Sequence, residues 1–242
     1  SDALDKLNYL KVSDDAYKGV KNEPRIDITF DDPNKVLTVQ DSGIGMNEED
    51  LNANLGTIAR SGTKAFIEKI AEDKNAGESN LIGQFGVGFY SAFMVADKVE
   101  LTSRKAGEDT AWHWTSNGID GFEISKAKKD TCGTDIKLFL KKDAKDYCDS
   151  IYLRQIIRAY SDHIAYPIVL DLDKAGEEVV NKGSALWTRQ KSEITADQYK
   201  DFYQHISHNF DDPWLTLHFK AEGNIEYTGL LYIPTKAPYD LF

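Results

Sequence analysis

Two glycine-bearing turns constrain this chain more than any other feature in it. The first is Asp41-Ser42-Gly43-Ile44-Gly45-Met46, which follows the apolar stretch Val36-Leu37-Thr38-Val39 and precedes a helix opening at Asn47. An Asp at a strand's end, followed by two glycines, lets the backbone turn sharply with nothing bulky in the way. A flat ligand fits against such a turn while the carboxylate, an acceptor only, takes a hydrogen bond from an amino group such as that of adenine. Asp-x-Gly-x-Gly is equally an ordinary strand-to-helix turn, so the hexapeptide alone does not choose. The second turn is Gly83-Gln84-Phe85-Gly86-Val87-Gly88-Phe89, which leads into an apolar run ending at Val95. Glycines feeding a helix N-terminus leave free N–H groups and a positive dipole end, which favour phosphate. The spacing Gly-x-x-Gly-x-Gly is neither the dinucleotide fingerprint nor the lysine-bearing phosphate loop. One place for a base and another for phosphates is the minimum that a nucleotide site requires.

Together, Asp41-x-Gly43-x-Gly45 and Gly83 to Phe89 resemble the paired nucleotide motifs of the GHKL ATPases. That superfamily holds gyrase-type topoisomerases, MutL-type repair proteins, sensor histidine kinases and the ninety-kilodalton heat-shock chaperones. The segment Asn54-Leu55-Gly56-Thr57-Ile58-Ala59-Arg60-Ser61-Gly62-Thr63-Lys64 narrows the resemblance to the chaperones, of the bacterial HtpG type. Similarity extends through Tyr160-Ser161-Asp162-His163-Ile164, Leu186-Trp187-Thr188-Arg189 and Tyr232-Ile233-Pro234.

The resemblance implies an α/β (α+β) two-layer sandwich of the GHKL, or Bergerat, type, with ATP or ADP as ligand and Mg2+ as its companion in the parent family. It implies that Asp41 contacts the adenine amino group, with Thr134 in support through a water. Gly45 and Met46 are then expected to line the base, and Asn54 to reach toward sugar and phosphates. Arg60 stands where the family often has Lys, which keeps the charge but not the geometry. Gly83, Gln84, Phe85, Gly86, Val87, Gly88 and Phe89 are expected to offer backbone N–H groups to the phosphates. Without the family, Asn54 is an ordinary polar helix residue and Thr134 an ordinary strand start; only the constellation is specific.

The same resemblance implies a stress-response chaperone of the cytoplasm. It implies that ATP closes a lid and clamps a homodimer around unfolded client proteins. It also places a water-activating Glu and a magnesium-binding Asn ahead of Ser1, and an Arg for the γ-phosphate beyond Phe242. No catalytic residue and no metal ligand is therefore expected within the chain. No nearby acidic residue is an obvious substitute for a base, which must reach its water. The alternative to the chaperone reading is a monomeric fragment that binds nucleotide or protein without hydrolysing ATP.

Composition narrows the classes further. The 242 residues carry a net charge of −11, which disfavours nucleic acid as the main partner, since phosphate backbones need a basic face. Hydrophobic residues make up 41% and charged residues 29%, consistent with a real core under a water-facing surface. No apolar run approaches the roughly 20 residues needed to span a bilayer. Cys132 and Cys148 are the only cysteines, and two thiols without metal-ligand spacing suggest a reducing compartment.

Along the chain, residues 1–11 read as a helix, Arg25 to Phe30 and Val36 to Gln40 as a hairpin, and Asn47 as a helix N-cap. The polar stretch Asp73 to Asn80, between two binding motifs, is a candidate lid. Strands are expected at 99–103, 111–114, 121–124 and 135–140, pairing in order as an antiparallel meander. From Tyr147, Ile151, Ile156, Ile157, Tyr160 and Ile164 read as the apolar stripe of a helix. A strand at 166–172 is followed by charged, loop-like residues 173–178. The ATP-binding domain is assigned to residues 1–173, a linker to 174–184 and an incomplete middle domain to 185–242. That last part should hold a helix capped at Thr195-x-x-Gln198 and a closing hairpin.

Overall fold

The computed structural model describes residues 1–56, 83, 86–171, 176–183, 186–207, 211–221 and 227–237. The chain divides into two compact units, Ser1–Gln155 with Tyr166–Val180, and Ile156–Ala165 with Asn181–Phe242.

The first unit is a mixed α/β fold built on one eight-stranded sheet. Helix α1 (Asp2–Ser13) comes first, burying Leu4 and Leu7. Strands β1 (Ile26–Asp31) and β2 (Val36–Asp41) form an antiparallel hairpin, with Lys35 at a positive φ of 54° completing its turn. Helix α2 (Glu48–Leu55) opens with a capping box, in which Asn47 and Asp50 each bond the other's backbone N–H. The second glycine turn runs into a 3-10 turn at Gly88–Ser91 and a single helical turn, α3 (Ala92–Val95). Strands β3 (Ala96–Arg104), β4 (Ala111–Ser116), β5 (Phe122–Ala127) and β6 (Gly133–Leu140) follow. After helix α4 (Ser150–Ser161), β7 (Ile168–Asp171) and β8 (Glu177–Val179) complete the sheet.

The strand order is β5-β4-β3-β6-β2-β1-β7-β8, which corrects the expected meander. Of the four strands expected to form it, only β3, β4 and β5 pair in sequence; β6 returns to lie between β3 and β2, and β7 runs parallel to β1. Side-chain chemistry explains the exchange. Strand β6 points Ile136, Leu138 and Leu140 to one side and suits the centre, while the largely exposed β5 carries Glu123 and Lys126 and suits an edge. Residues 177–179, expected as loop, form edge strand β8. Its two carboxylates find cations, Glu177 with Arg25 at 3.1 Å and Glu178 with Arg154 at 2.8 Å. The stripe on α4 also differs: Leu153 and Ile157 are buried, whereas Ile151 and Tyr160 are exposed. Ile151 lies two residues before Leu153 and so on the opposite side of the helix.

Two apolar clusters hold helices of this unit, and the first covers one face of the sheet. In the first, Leu51 and Leu55 of α2 pack on Val99, Leu101 and Trp114. In the second, Leu7 of α1 packs with Ile44, Ala106 and Cys132. Both cysteines are buried and free. The opposite face of the central strands carries Thr38, Gln40, Asp135, Lys137, Glu100 and Thr102, the alternation of a sheet with one wet side.

The second unit holds helix α5 (Ala196–Ser207) and a hairpin of β9 (Pro213–Ala221) and β10 (Tyr227–Pro234). The capping box forms as the spacing predicts, with Thr195 N–H to Gln198 Oε1 at 3.0 Å and Gln198 N–H to Thr195 Oγ1 at 3.2 Å. His218 is a structural histidine: its ring nitrogens meet the Tyr199 hydroxyl at 2.6 Å and the Trp187 carbonyl at 2.9 Å. The other face of the hairpin leaves Leu215, Leu217, Leu231 and Ile233 exposed.

Candidate functional site

Register on the sheet creates the site. Asp41, the last residue of β2, is the direct cross-strand partner of Thr134, and Thr134 is in turn the partner of Ser103. Three polar side chains thus form one row across β2, β6 and β3, at the rim of a face whose next rows are Val39, Ile136 and Leu101, then Leu37, Leu138 and Val99. Glycines allow this closeness. A Cβ on Gly133, at a φ of 113°, would stand 2.0 Å from the Asp41 carbonyl oxygen. One on Gly45, at a φ of 68°, would stand 2.0 Å from the Arg104 carbonyl oxygen. Gly43 serves a different purpose from the ligand contact its motif suggests. It lies against helix α1, where a Cβ would meet the Ala3 backbone at 2.6 Å, and the neighbouring Ile44 N–H donates to the Ala3 carbonyl at 3.0 Å.

Hydrogen bonding fixes which way the row can act. Ser103 is fully buried, and its Oγ accepts the Met46 N–H at 2.8 Å, meets Thr134 Oγ1 at 2.9 Å and lies 3.1 Å from the Gly133 carbonyl. A hydroxyl has one proton. Every group is satisfied when Ser103 donates to Gly133 and accepts from Thr134, which leaves the Thr134 oxygen an acceptor. Asp41 is an acceptor as well: its Oδ1 takes the Gly43 N–H at 2.8 Å, and among the described residues no other donor reaches the carboxylate. Burial raises the Asp41 pKa above the ordinary 3.8, partly offset by the Gly43 hydrogen bond.

Above this row opens a cleft of about 700 Å³, within the range of small-molecule sites. Its apolar walls come from both clusters, with Met46, Leu55, Phe89, Leu101 and Ile136 from one and Ile44 and Leu10 from the other. Its polar lining adds Asp2 and Lys6 of α1, Asn54 of α2 and the ion pair Lys105–Asp50, at 2.8 Å. Burial alone would lower the Lys105 pKa, but Asp50 and Glu108 outweigh it and leave the ammonium above its usual value.

The structure therefore brings together Asp41, Gly45, Met46, Asn54, Gly83, Gly86, Gly88, Phe89 and Thr134, all of which line the cleft. Val87 is described and half exposed, but it does not line the cleft; Arg60, Gln84 and Phe85 lie outside the described residues, as does the candidate lid at 73–80. The Gly83 N–H, expected to serve a phosphate, here donates to Asp2 Oδ2 at 2.7 Å. Sequence reasoning missed Ser103, Gly133, Lys105 and, on α1, Lys6 as parts of the site; Asp2, which the resemblance gives only packing and polar support, also lines the cleft. Ser103 and Lys105 have no motif, whereas the positive φ of Gly133 beside Thr134 left a trace as the Gly-Thr pair opening a strand. The pair fits an amino-bearing ligand, because two acceptors sit side by side in the lining of a largely apolar cleft.

Comparison with known proteins identifies the family. The profile of the family described as "Histidine kinase-, DNA gyrase B-, and HSP90-like ATPase" matches residues 13–139, and that described as "Hsp90 protein" matches 172–242. The chain is 51% identical over its whole length to "Chaperone protein HtpG" of Wolinella succinogenes, covering 40% of that protein. It is 49% identical to the protein of that name from Borrelia garinii subsp. bavariensis, again over its whole length and 41% of the relative. With that of Gluconobacter oxydans it shares 50% identity over 99% of this chain and 39% of the relative. The chain thus spans about 40% of the length of these curated relatives. No helix among the described residues is long and apolar enough to cross a membrane. On the matched profile and on the identities along its length, the chain belongs to the family of histidine kinase-, DNA gyrase B- and HSP90-like ATPases, within its HSP90 group of HtpG type.

Proposed function

We propose that the chain is the ATP-binding part of an HtpG-type chaperone of the cytoplasm, with residues 1–173 as the nucleotide domain and 185–242 as the start of a middle domain. The observation that carries this reading is the paired acceptors, Asp41 and Thr134, side by side in the lining of the cleft. They select a base that presents an amino group, as adenine does, and disfavour one that presents a carbonyl there. Gly45 and Met46 lie along the base, Asn54 faces the sugar and phosphates, and the amides of Gly86, Val87 and Gly88 serve the phosphates together with Gln84, Phe85 and Phe89, while Gly83, its N–H held by Asp2, shapes the start of that turn. Arg60 supplies positive charge to the same end. Mg2+ accompanies the nucleotide and neutralises its phosphate charge. In the whole protein, ATP closes a lid and clamps two protomers around a client protein.

A second reading, nucleotide binding without hydrolysis by these residues, is favoured by how the cleft carboxylates are engaged. Asp2 accepts from Gly83, Asp14 from Ala16, Asp41 from Gly43, and Asp50 from Asn47 and Lys105. Each of these carboxylates holds a turn, a helix start or an ion pair, whereas a general base must be aimed at its water.

Isothermal titration with ATP and with ADP, beside an Asp41→Asn variant, tests the first reading. Binding that vanishes in the variant supports it, and a folded chain that binds neither nucleotide overturns it. Magnesium-dependent phosphate release above background would overturn the second.

A further inference from the structure

We propose that Tyr166 is a positioning residue for the cleft, acting through helix α1; its role in binding rests on the nucleotide reading above. Tyr166 is carried by the sheet. The next residue, Pro167, accepts the Ile26 N–H at 2.9 Å where β1 and β7 begin their parallel ladder. The phenol then reaches α1. Its hydroxyl donates to Asp5 Oδ1 at 2.7 Å and accepts from Asn8 Nδ2 at 3.1 Å. Asp5 and Asn8 are three residues apart and share one side of the helix. Burial, then Asp5, push the Tyr166 pKa well above its ordinary value, so the group stays a protonated donor at any physiological pH.

A different side of α1 carries Asp2, Lys6 and Leu10, spaced four apart, and these line the cleft. Near its start the helix touches both glycine turns. Ala3 accepts from Ile44 and packs on Gly43, and Asp2 accepts from Gly83. One phenol therefore holds the helix that meets the base turn and the phosphate turn together. Leu4 and Leu7, both buried, hold α1 as well, and Ser1 gives its twelve residues no side-chain cap. A helix of this length gains its stability from tertiary contacts.

The test is Tyr166→Phe in the full 242-residue chain, read in two ways. Amide exchange should accelerate about tenfold along α1 and at Ile44, with the β2–β6 ladder unchanged. The Kd for ADP should rise about 3- to 10-fold. Asp5→Asn keeps an oxygen for the phenol and should preserve both properties, while Asp5→Leu should reproduce Tyr166→Phe. Unchanged exchange in α1 and Ile44 overturns the proposal whatever the nucleotide does. Faster exchange with ADP affinity intact overturns the positioning role. An unmodified chain that binds no ADP overturns the nucleotide reading, and with it the part given to Tyr166 in binding; accelerated exchange would still show the hold on α1.

Discussion

Ser103 Oγ accepts the Met46 N–H at 2.8 Å, so the end of the base turn hangs from a side chain 57 residues further along the chain. The same hydroxyl orients Thr134. Ser103→Ala should lower stability by about 1–3 kcal/mol, the range for a buried donor left without its acceptor. Urea unfolding measures that loss. ADP titration should show weaker binding as well, because the Thr134 proton then turns toward the cleft.

Gly45 has no room for a side chain, and its φ lies in the left-handed region. Gly45→Ala should cost roughly 3 kcal/mol or more, combining left-handed strain with a backbone clash. Gly107 also has a positive φ, but a Cβ there meets nothing within 4 Å. Gly107→Ala should cost about 1–2 kcal/mol. Equal melting temperatures for the two variants would refute the close-approach account of Gly45.

Asp41 links binding to pH. Its folded pKa is raised above the ordinary 3.8 by burial, so the native state holds more protons than the unfolded chain between the two values. The stability this contributes is full below the unfolded pKa and is lost as pH rises through the folded one. Asp41→Asn escapes that loss. The variant should match the parent in the most acid range and become the more stable of the two toward pH 7, as thermal melts across pH would show. Its ADP binding should fall about 10- to 100-fold, since the amide puts a donor where the ligand also has one.

Asp50 has two tasks, and salt separates them. It closes the capping box with Asn47 and pairs with Lys105. Lys105→Ala should cost under about 1 kcal/mol, and that cost should vanish near 1 M salt. Asp50→Ala should cost about 1–2 kcal/mol and keep most of it in salt, because the cap is a local hydrogen bond. Paired denaturant titrations at low and high salt decide.

Much of this was legible in the sequence because it is local. The two glycine turns, the Asn47 and Thr195 caps and the approximate strand positions all follow from residues within a few positions of one another. The motif resemblance located Asp41 and Thr134 as parts of one site. Their adjacency to Ser103 was not legible, since it depends on β6 entering between β2 and β3 rather than following β5. Pairing of that kind is decided by which strand buries more apolar surface, a comparison across the whole sheet. The engagement of Gly43 by α1 escaped for a similar reason, because a glycine needed for helix packing and one needed for a ligand look the same in a motif.

The central place of β6 also sets a timetable. Strand β2 ends at residue 41, but the neighbour that gives Asp41 its partner begins only at residue 133. Contacts between such distant segments form late, since a long loop must close before they repay its entropy. During synthesis the hairpin of β1 and β2 emerges well before any pocket exists, and nucleotide has nothing to bind until β6 has docked. The ligand can therefore secure the finished domain but cannot guide its early folding. Until then β2 presents an unpaired edge, which makes the interval before β6 arrives the period when a newly made chain is most open to pairing with another copy.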